Sequence, residues 1–460
     1  MSNSSLYIGL SGILAQSQGL DTVSQNVANA NTPGYTRETA NLSDIVTPGT
    51  GTGSGVTVSS ISQITSQFLQ TTARVSSASQ QAAQSYYSAV STAQNYFQEP
   101  SPVGVNEQLS NLWNAFDTLS NQPNLTTARN SLLTTAGQLT TTLNSNSQGL
   151  INLYNTTVAQ VGSQVDAINK QLAQVESLNQ QIVQYQGGSG ANTLIDQRNQ
   201  IINSITDAIG ATVQTNSDGS VTLLSGGITL ANTNMADTLS VSAATAPPMP
   251  ATGTTPVSIV SGLTGATLPV TSGSIGGSLS ALNVSLPKYS SQLDSFASNL
   301  ATAINNQLTA GYGYASTGTA PKGVDLFTAG SGTTITAQNI TINSAVISNP
   351  NLIATATNNN SPLDGSIASS VAALGSQPNP PDAQYTLAVA GVGLDVSTAK
   401  STLGTATSQS QSASTALASV AGVNTNEELV KMVNYQNAYQ ASAKVIATVA
   451  SIIQSMIATV

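Results

Sequence analysis

Apolar positions at the end of the chain recur by threes and fours. Leu429, Met432, Gln436, Tyr439, Ala443, Ile446, Ala450, Ile453, Ile457 and Val460 make a heptad-like row. Val445, Val449, Ile452 and Met456 widen it. The start of the chain carries a matching row of Leu6, Leu10, Ile13, Ser17, Leu20, Ser24 and Val27. Each row predicts a helix with one apolar stripe and an almost uncharged opposite face. Neither helix can bury its stripe alone, so the two ends are expected to pair as a coiled coil and to turn their remaining faces to neighbouring subunits. Two ordinary terminal helices in a monomeric core are the alternative.

The middle of the chain changes period twice. A long helical pattern runs over 139–185, with its clearest row at Val158, Val161, Val165, Ile168, Leu172, Val175, Asn179 and Ile182. Asn179 reads either as a register-setting polar residue or as the frayed end of the row. Shorter amphipathic helices are predicted over 68–96, 105–119 (Leu109, Leu112 and Phe116 inward) and 125–143. Gly187-Gly188-Ser189-Gly190 turns into a helix over 193–209, which makes an antiparallel helical hairpin. Residues 211–230 then alternate around Asn216-Ser217-Asp218-Gly219, a β-hairpin signal.

Ala246-Pro247-Pro248-Met249-Pro250 and Pro378-Asn379-Pro380-Pro381 read as loops. Helix returns over 286–308, with Tyr289, Leu293, Phe296, Leu300 and Ile304 on one side. From 311 to 395 Gly, Pro, Thr and Asn dominate, with a β-like piece at 334–342, and helix resumes near Ser397. The expected fold class is α+β multidomain: a terminal α-helical coiled coil and a helical-hairpin domain, with inserted β-rich domains. The expected boundaries are 1–65 with 400–460 for the terminal polymerisation region and 66–210 with 280–310 for the long helices. Residues 211–279 with 311–399 make the β-rich insertions.

Composition narrows the chemistry. The 460 residues hold 10 Lys/Arg and 19 Asp/Glu, a net charge of −9, and neither His nor Cys. Charged residues make up 6 % of the chain, against roughly 25 % in ordinary proteins. The surface is therefore hydroxyl and amide, and association should depend little on salt. Without His or Cys there is no Ser-His-Asp triad, no zinc site of the usual ligands and no disulfide. Neither an enzyme nor a cofactor is expected. Ten scattered cations cannot neutralise a run of phosphates, so no nucleic-acid partner is expected.

No stretch reaches about 18 consecutive apolar residues, so no membrane span is expected. Residues 445–460 come nearest, as a tail anchor, and residues 1–19 lack the basic start and unbroken apolar core of a signal peptide. The adjacent acids Glu427 and Glu428 point about 100° apart on a helix, so they cannot flank one bond as a catalytic pair. They read as complements to the final helix's N-terminal dipole, capped by Asn426 or Thr425. Asp218 lacks the ligand spacing of a calcium loop, and Gly51, Gly53 and Gly55 read as a surface loop.

Ala28-Asn29-Ala30-Asn31-Thr32-Pro33-Gly34-Tyr35-Thr36-Arg37 reads physically as a helix stop. With Leu20 to Val27 before it, the segment closely resembles the N-terminal signature of bacterial flagellar axial proteins, the rod, hook and hook-associated families. Residues 422–429 and 435–445 resemble the C-terminal signature of the same group. Within it, Asn124-Leu125-Thr126-Thr127-Ala128-Arg129, the segment Asn192-Thr193-Leu194-Ile195-Asp196-Gln197-Arg198-Asn199-Gln200 and Gly273-Ser274-Ile275-Gly276-Gly277-Ser278-Leu279 resemble the hook-associated protein 1 family. The stretch 311–396 carries little of this.

The resemblance implies a structural subunit of the ring that joins hook to filament, needed for filament assembly. It implies a place on the extracellular flagellum, reached through type III export without a cleaved signal peptide. The implied partners are copies of the same chain, hook protein, hook-associated protein 3 and an export chaperone that holds the C-terminal helix. Rows and resemblance together assign the polymer and chaperone interface to Leu6, Leu10, Ile13, Leu20, Val27, Asn31, Pro33, Gly34 and Tyr35 at the start. At the end they assign Leu429, Met432, Tyr439, Ile446, Ile453 and Ile457. A rod or hook subunit shares both terminal signatures and is the alternative, against which the long helical hairpin argues. A secreted adhesin displaying its β insertion is the reading from another class.

Overall fold

The computed structural model describes residues 2–46, 53–97, 99–185, 190–243, 256–378 and 380–458. Gly51, the Gly187-Gly188-Ser189 turn, the 246–250 loop, Asn379 and Val460 lie outside the described residues. Helix α1 (Ser2–Ala28) ends at the Asn-Thr-Pro-Gly turn, where Gly34 takes a φ of +80°. A hairpin of β1 (Glu38–Val46) and β2 (Gly53–Gln63) follows and packs on α1. No periodicity announces it, because its Ser, Thr and Asn positions build no continuous apolar face.

Ser66 caps α2 (Gln67–Gln94), its hydroxyl accepting from the Leu69 amide. Helix α3 (Val105–Asn121) buries Leu109, Leu112 and Phe116 as expected. The two helical patterns at 125–143 and 139–185 prove to be one helix, α4 (Thr126–Gln184), of 59 residues. Its row from Val161 to Ile182 is buried, and α5 (Gly190–Ile209) folds back against it. Asn179 is no frayed end. Its amide donates to the Val221 carbonyl (2.8 Å) and accepts from the Val221 amide (3.0 Å) and from Arg198 (3.0 Å), fixing a strand to the helix.

That strand belongs to the predicted hairpin. β3 (Thr212–Thr215), β4 (Val221–Ser225) and β5 (Ile228–Ala231) form a meander, with Thr215 opposite Val221 across the Asp218-Gly219 turn. β6 (Leu239–Ser242), β7 (Ser258–Ser261) and β8 (Thr267–Leu268) form a second antiparallel sheet. The next helix starts earlier than its pattern: α6 (Gly273–Ser280) passes through a π-helical turn into α7 (Leu286–Ala310). Gly277 lets α6 cross α2 closely, since a Cβ there would collide with the Ala82 carbonyl oxygen.

Residues 311–399 depart from the β-rich reading. β9 (Phe327–Ala329) and β10 (Ile340–Ile342) are the only strands among the described residues there. Short α8 (Ser344–Ser348) and α9 (Ser366–Ala372) follow, and α10 (Pro381–Ala421) begins at Pro381, well before Ser397. Pro at N1 suits a helix start, and α10 packs along α2 through Ala388, Val392, Ala399, Ala406 and Ala413. So small a row hardly rises above its polar surroundings in sequence. After Gly422 comes α11 (Thr425–Ala458).

Within the helical stretch Ser366–Ala458, an 18-residue window has a mean hydropathy of 1.5, enough by length and composition alone to cross a membrane. A count of consecutive apolar residues does not register it. The main core lies among α3, α4, α7 and the start of α10, where Phe97, Tyr289, Phe296 and Tyr385 pack with ring centroids 5.2–6.4 Å apart.

Candidate assembly interface

The two ends of the chain do pair: α1 and α11 lie side by side. The buried row of α1 is Gly9, Gly12, Ala15, Gly19, Val23 and Asn26, beside the row that periodicity singles out. A Cβ on Gly9 would come 2.6 Å from Ile446, on Gly12 2.7 Å from Ser442, and on Gly19 2.5 Å from the Tyr435 ring. Small residues bring the backbones close, so the larger apolar side chains are left at the sides and outside. Reading hydrophobicity selects large residues, and so it misses a seam built from glycine.

Each assigned position has a definite place. Leu6, Ile13, Leu20, Val27, Met432, Ile446 and Ile453 are half-buried. Leu10, Leu429, Tyr439 and Ile457 are exposed, in company with Tyr7, Leu14, Val430, Val433 and Met456. The last turns of α11 leave Ile457 71 % exposed, and Leu14 on α1 is 62 % exposed. Both helices thus turn large apolar side chains to the outside of the pair.

At the base of the pair the polar signature residues interlock. Asn26 is fully buried and satisfied: its oxygen accepts from the Tyr35 hydroxyl and the Glu38 amide, both at 2.9 Å. Its amide donates to the Glu38 carbonyl and to Glu428 Oε2, both at 2.8 Å. Glu428, also fully buried, pairs with Lys431 at 2.6 Å. This corrects the reading of Glu427 and Glu428 as dipole complements alone, for Glu428 closes the clasp and Glu427 pairs with Arg37 at 3.0 Å. The cap is also different: Asn424, rather than Asn426 or Thr425, accepts from the amides of Asn426 and Glu427.

The same turn grips α5. Thr36 donates through its amide (3.1 Å) and hydroxyl (2.8 Å) to Asp196, and Gln63 donates to Asp196 as well (2.8 Å). Asn192 donates to the Ile61 carbonyl, and Gln200 to the carbonyl of the exposed Pro33. Asn31 and Gly34 stay exposed and Tyr35 is half-buried. Burial raises the carboxyl pKa values of Asp196 and Glu38; burial, then the charges of Glu38, Asp196 and Glu428, raises that of Tyr35. The segments at 28–37 and 192–200 are therefore two halves of one contact. A single sequence holds no signal that would pair them.

Residues 90–327, more than half of the chain, match the family described as flagellar hook-associated protein FlgK helical domain. The chain belongs to the FlgK family. Outside that match, residues 6–36 match the flagella basal body rod protein family and residues 416–459 the C-terminal part of the flagellar basal body rod FlgEFG proteins. Both halves of the clasp's terminal signature thus lie in segments shared across these families, while Asn192, Asp196 and Gln200 fall within the FlgK match.

Flagellar hook-associated protein 1 of Bacillus subtilis is 30 % identical over 48 % of this chain and 46 % of its own length. That of Salmonella typhimurium is 28 % identical over 70 % and 59 %. The chain spans about half the length of the curated relatives it matches. A flagellar hook protein FlgE, from Caulobacter vibrioides, is 47 % identical over 47 residues, 10 % of this chain and 8 % of its own. The flagellar hook junction protein FlgK from Burkholderia pseudomallei shares the fold: its whole solved chain aligns with 76 % of this one at a TM-score of 0.65 and 15 % identity.

Proposed function

We propose that this chain is a structural subunit of the bacterial flagellum, set in the ring between hook and filament and needed for filament assembly. One observation carries the reading: the paired terminal helices present Leu10, Leu14, Val430, Met456 and Ile457 to solvent, an apolar surface that calls for a protein partner. Copies of the same chain would cover those faces sideways, with hook protein below and hook-associated protein 3 above. Leu6, Ile13, Leu20, Val27, Tyr439, Ile446 and Ile453 belong to the same proposed interface. An export chaperone would hold α11 before passage through the type III apparatus, without a cleaved signal, to the outside of the cell. The role assigned is structural, with no catalytic residue, cofactor, nucleic acid or membrane span.

The terminal matches are common to rod and hook families, so a rod or hook subunit is the competing reading. Deleting the gene separates them. Bare hooks in electron micrographs, with monomeric flagellin in the medium, are expected. Missing hooks would move the protein down to rod or hook, and normal filaments would overturn both.

A further inference from the structure

Between the turn at Gly34-Tyr35-Thr36, α2, α5 and α10 lies a cavity of about 410 Å³. The single cation among the described residues lining it is Arg74. One side of the guanidinium is fixed: Nε donates to Asn203 Oδ1 (2.8 Å) and Nη2 to Asn199 Oδ1 (3.3 Å). The two asparagines stand one turn apart on α5, so they grip the fork together. Among the described residues no carboxylate lies within ion-pair distance of Arg74. Burial, with no anion to offset it, pushes the guanidinium pKa down from its ordinary value.

The rest of the wall is rich in donors. Both asparagine oxygens face the guanidinium, so both amide nitrogens turn away from it as donors. Ser410 and Ser414 bring hydroxyls from α10. Asp207 also lines the cavity, and its carboxylate is hydrogen-bonded by Ser77 rather than by Arg74. Arg74 is half-buried, and with only Nε and Nη2 engaged by the asparagines, the rest of its fork is left to take an anion.

We propose that this cavity binds a small oxyanion, a carboxylate or an inorganic anion, on the open side of the Arg74 fork beside the Asn199 and Asn203 amides. The anion is either free in solution or the acidic side chain of another copy. Either way it fills the joint between the 34–36 turn, α2, α5 and α10. Binding of the anion does not depend on the place of the protein in the flagellum; only the assignment of its source by filament assembly rests on that reading.

The test is thermal melting of the full chain in rising acetate, with ionic strength held constant by chloride. Wild type should show a saturable rise in melting temperature. Arg74→Gln should lose it, and Arg74→Lys, which keeps the charge without the fork, should keep only part. Asn199→Ala with Asn203→Ala, which releases the guanidinium, should weaken the response independently. Cells carrying Arg74→Gln as their sole copy then identify the source: intact filaments mean a free anion, and lost filaments a carboxylate from a neighbour. A wild-type melting curve indifferent to the exchange of chloride for acetate overturns the proposal, as does a response that Arg74→Gln retains in full.

Discussion

Asn26 and Glu428 stand 402 positions apart in the chain and 2.8 Å apart in the fold. The carboxylate is wholly buried, so the amide of Asn26 and the ammonium of Lys431 keep it from being an isolated charge. This polar contact and the packing of α1 on α11 together hold the ends of the chain in register. Asn26→Ala leaves the carboxylate one partner short and strips three more hydrogen bonds, one from Tyr35 and two from Glu38. The expected loss is about 3–5 kcal/mol. It should show in native-state amide exchange as early opening of α1 and α11, with α4 and α7 still protected. Unchanged protection of the terminal helices would refute this role for Asn26.

Gly19→Leu places a side chain where even a Cβ stands 2.5 Å from the Tyr435 ring. Overpacking of this kind costs about 1–3 kcal/mol. A paramagnetic label on α11 should then report a longer distance to α1. An unaltered distance would mean that Tyr435 swings aside and that the glycine seam tolerates bulk.

Leu14→Asp and Ile457→Asp change exposed positions, so the monomer should lose no more than about 0.5 kcal/mol from either. Cells carrying either variant should nonetheless be non-motile and lack filaments. A motile strain, or a marked fall in monomer melting temperature, would show that these faces are not the ones a neighbour covers.

Asp196 gives the clasp a pH dependence of known sign. Burial raises its pKa above the ordinary carboxylate value of 3.8, so between the two values the folded chain binds more protons than the unfolded one. Stability then falls as pH rises through that window and returns on acidification. The melting temperature of wild type minus that of Asp196→Asn should therefore grow as the pH is lowered from about 7 toward about 4. A difference that shrinks on acidification would mean that the hydrogen bonds from Thr36 and Gln63 outweigh burial.

Large side chains at regular spacing made α3, α4 and α7 readable in advance, with Leu109, Ile168 and Phe296 all buried where their rows placed them. The β3–β4 turn was equally plain from Asp218-Gly219. Three features escaped the pattern. The β1–β2 hairpin has no apolar face to alternate; α10 packs through alanines; and the α1–α11 seam runs along Gly9, Gly12 and Gly19. In each the packing surface is made of residues that hydrophobicity ignores. The clasp was half legible, since its segments stood out but their pairing did not. Hydrogen bonds between residues hundreds of positions apart leave no trace in the periodicity of either.

The glycine seam sets an order of events during folding. Glycine is a weak helix former, and the residues that complete the α1 seam, Tyr435, Ser442 and Ile446, stand more than 400 positions away from it. Helix α1 therefore waits, without a template, until the helices and sheets between it and its partner have brought the two together. A contact of such long loop closure is slow to form, so the seam closes after the parts of the molecule that it spans.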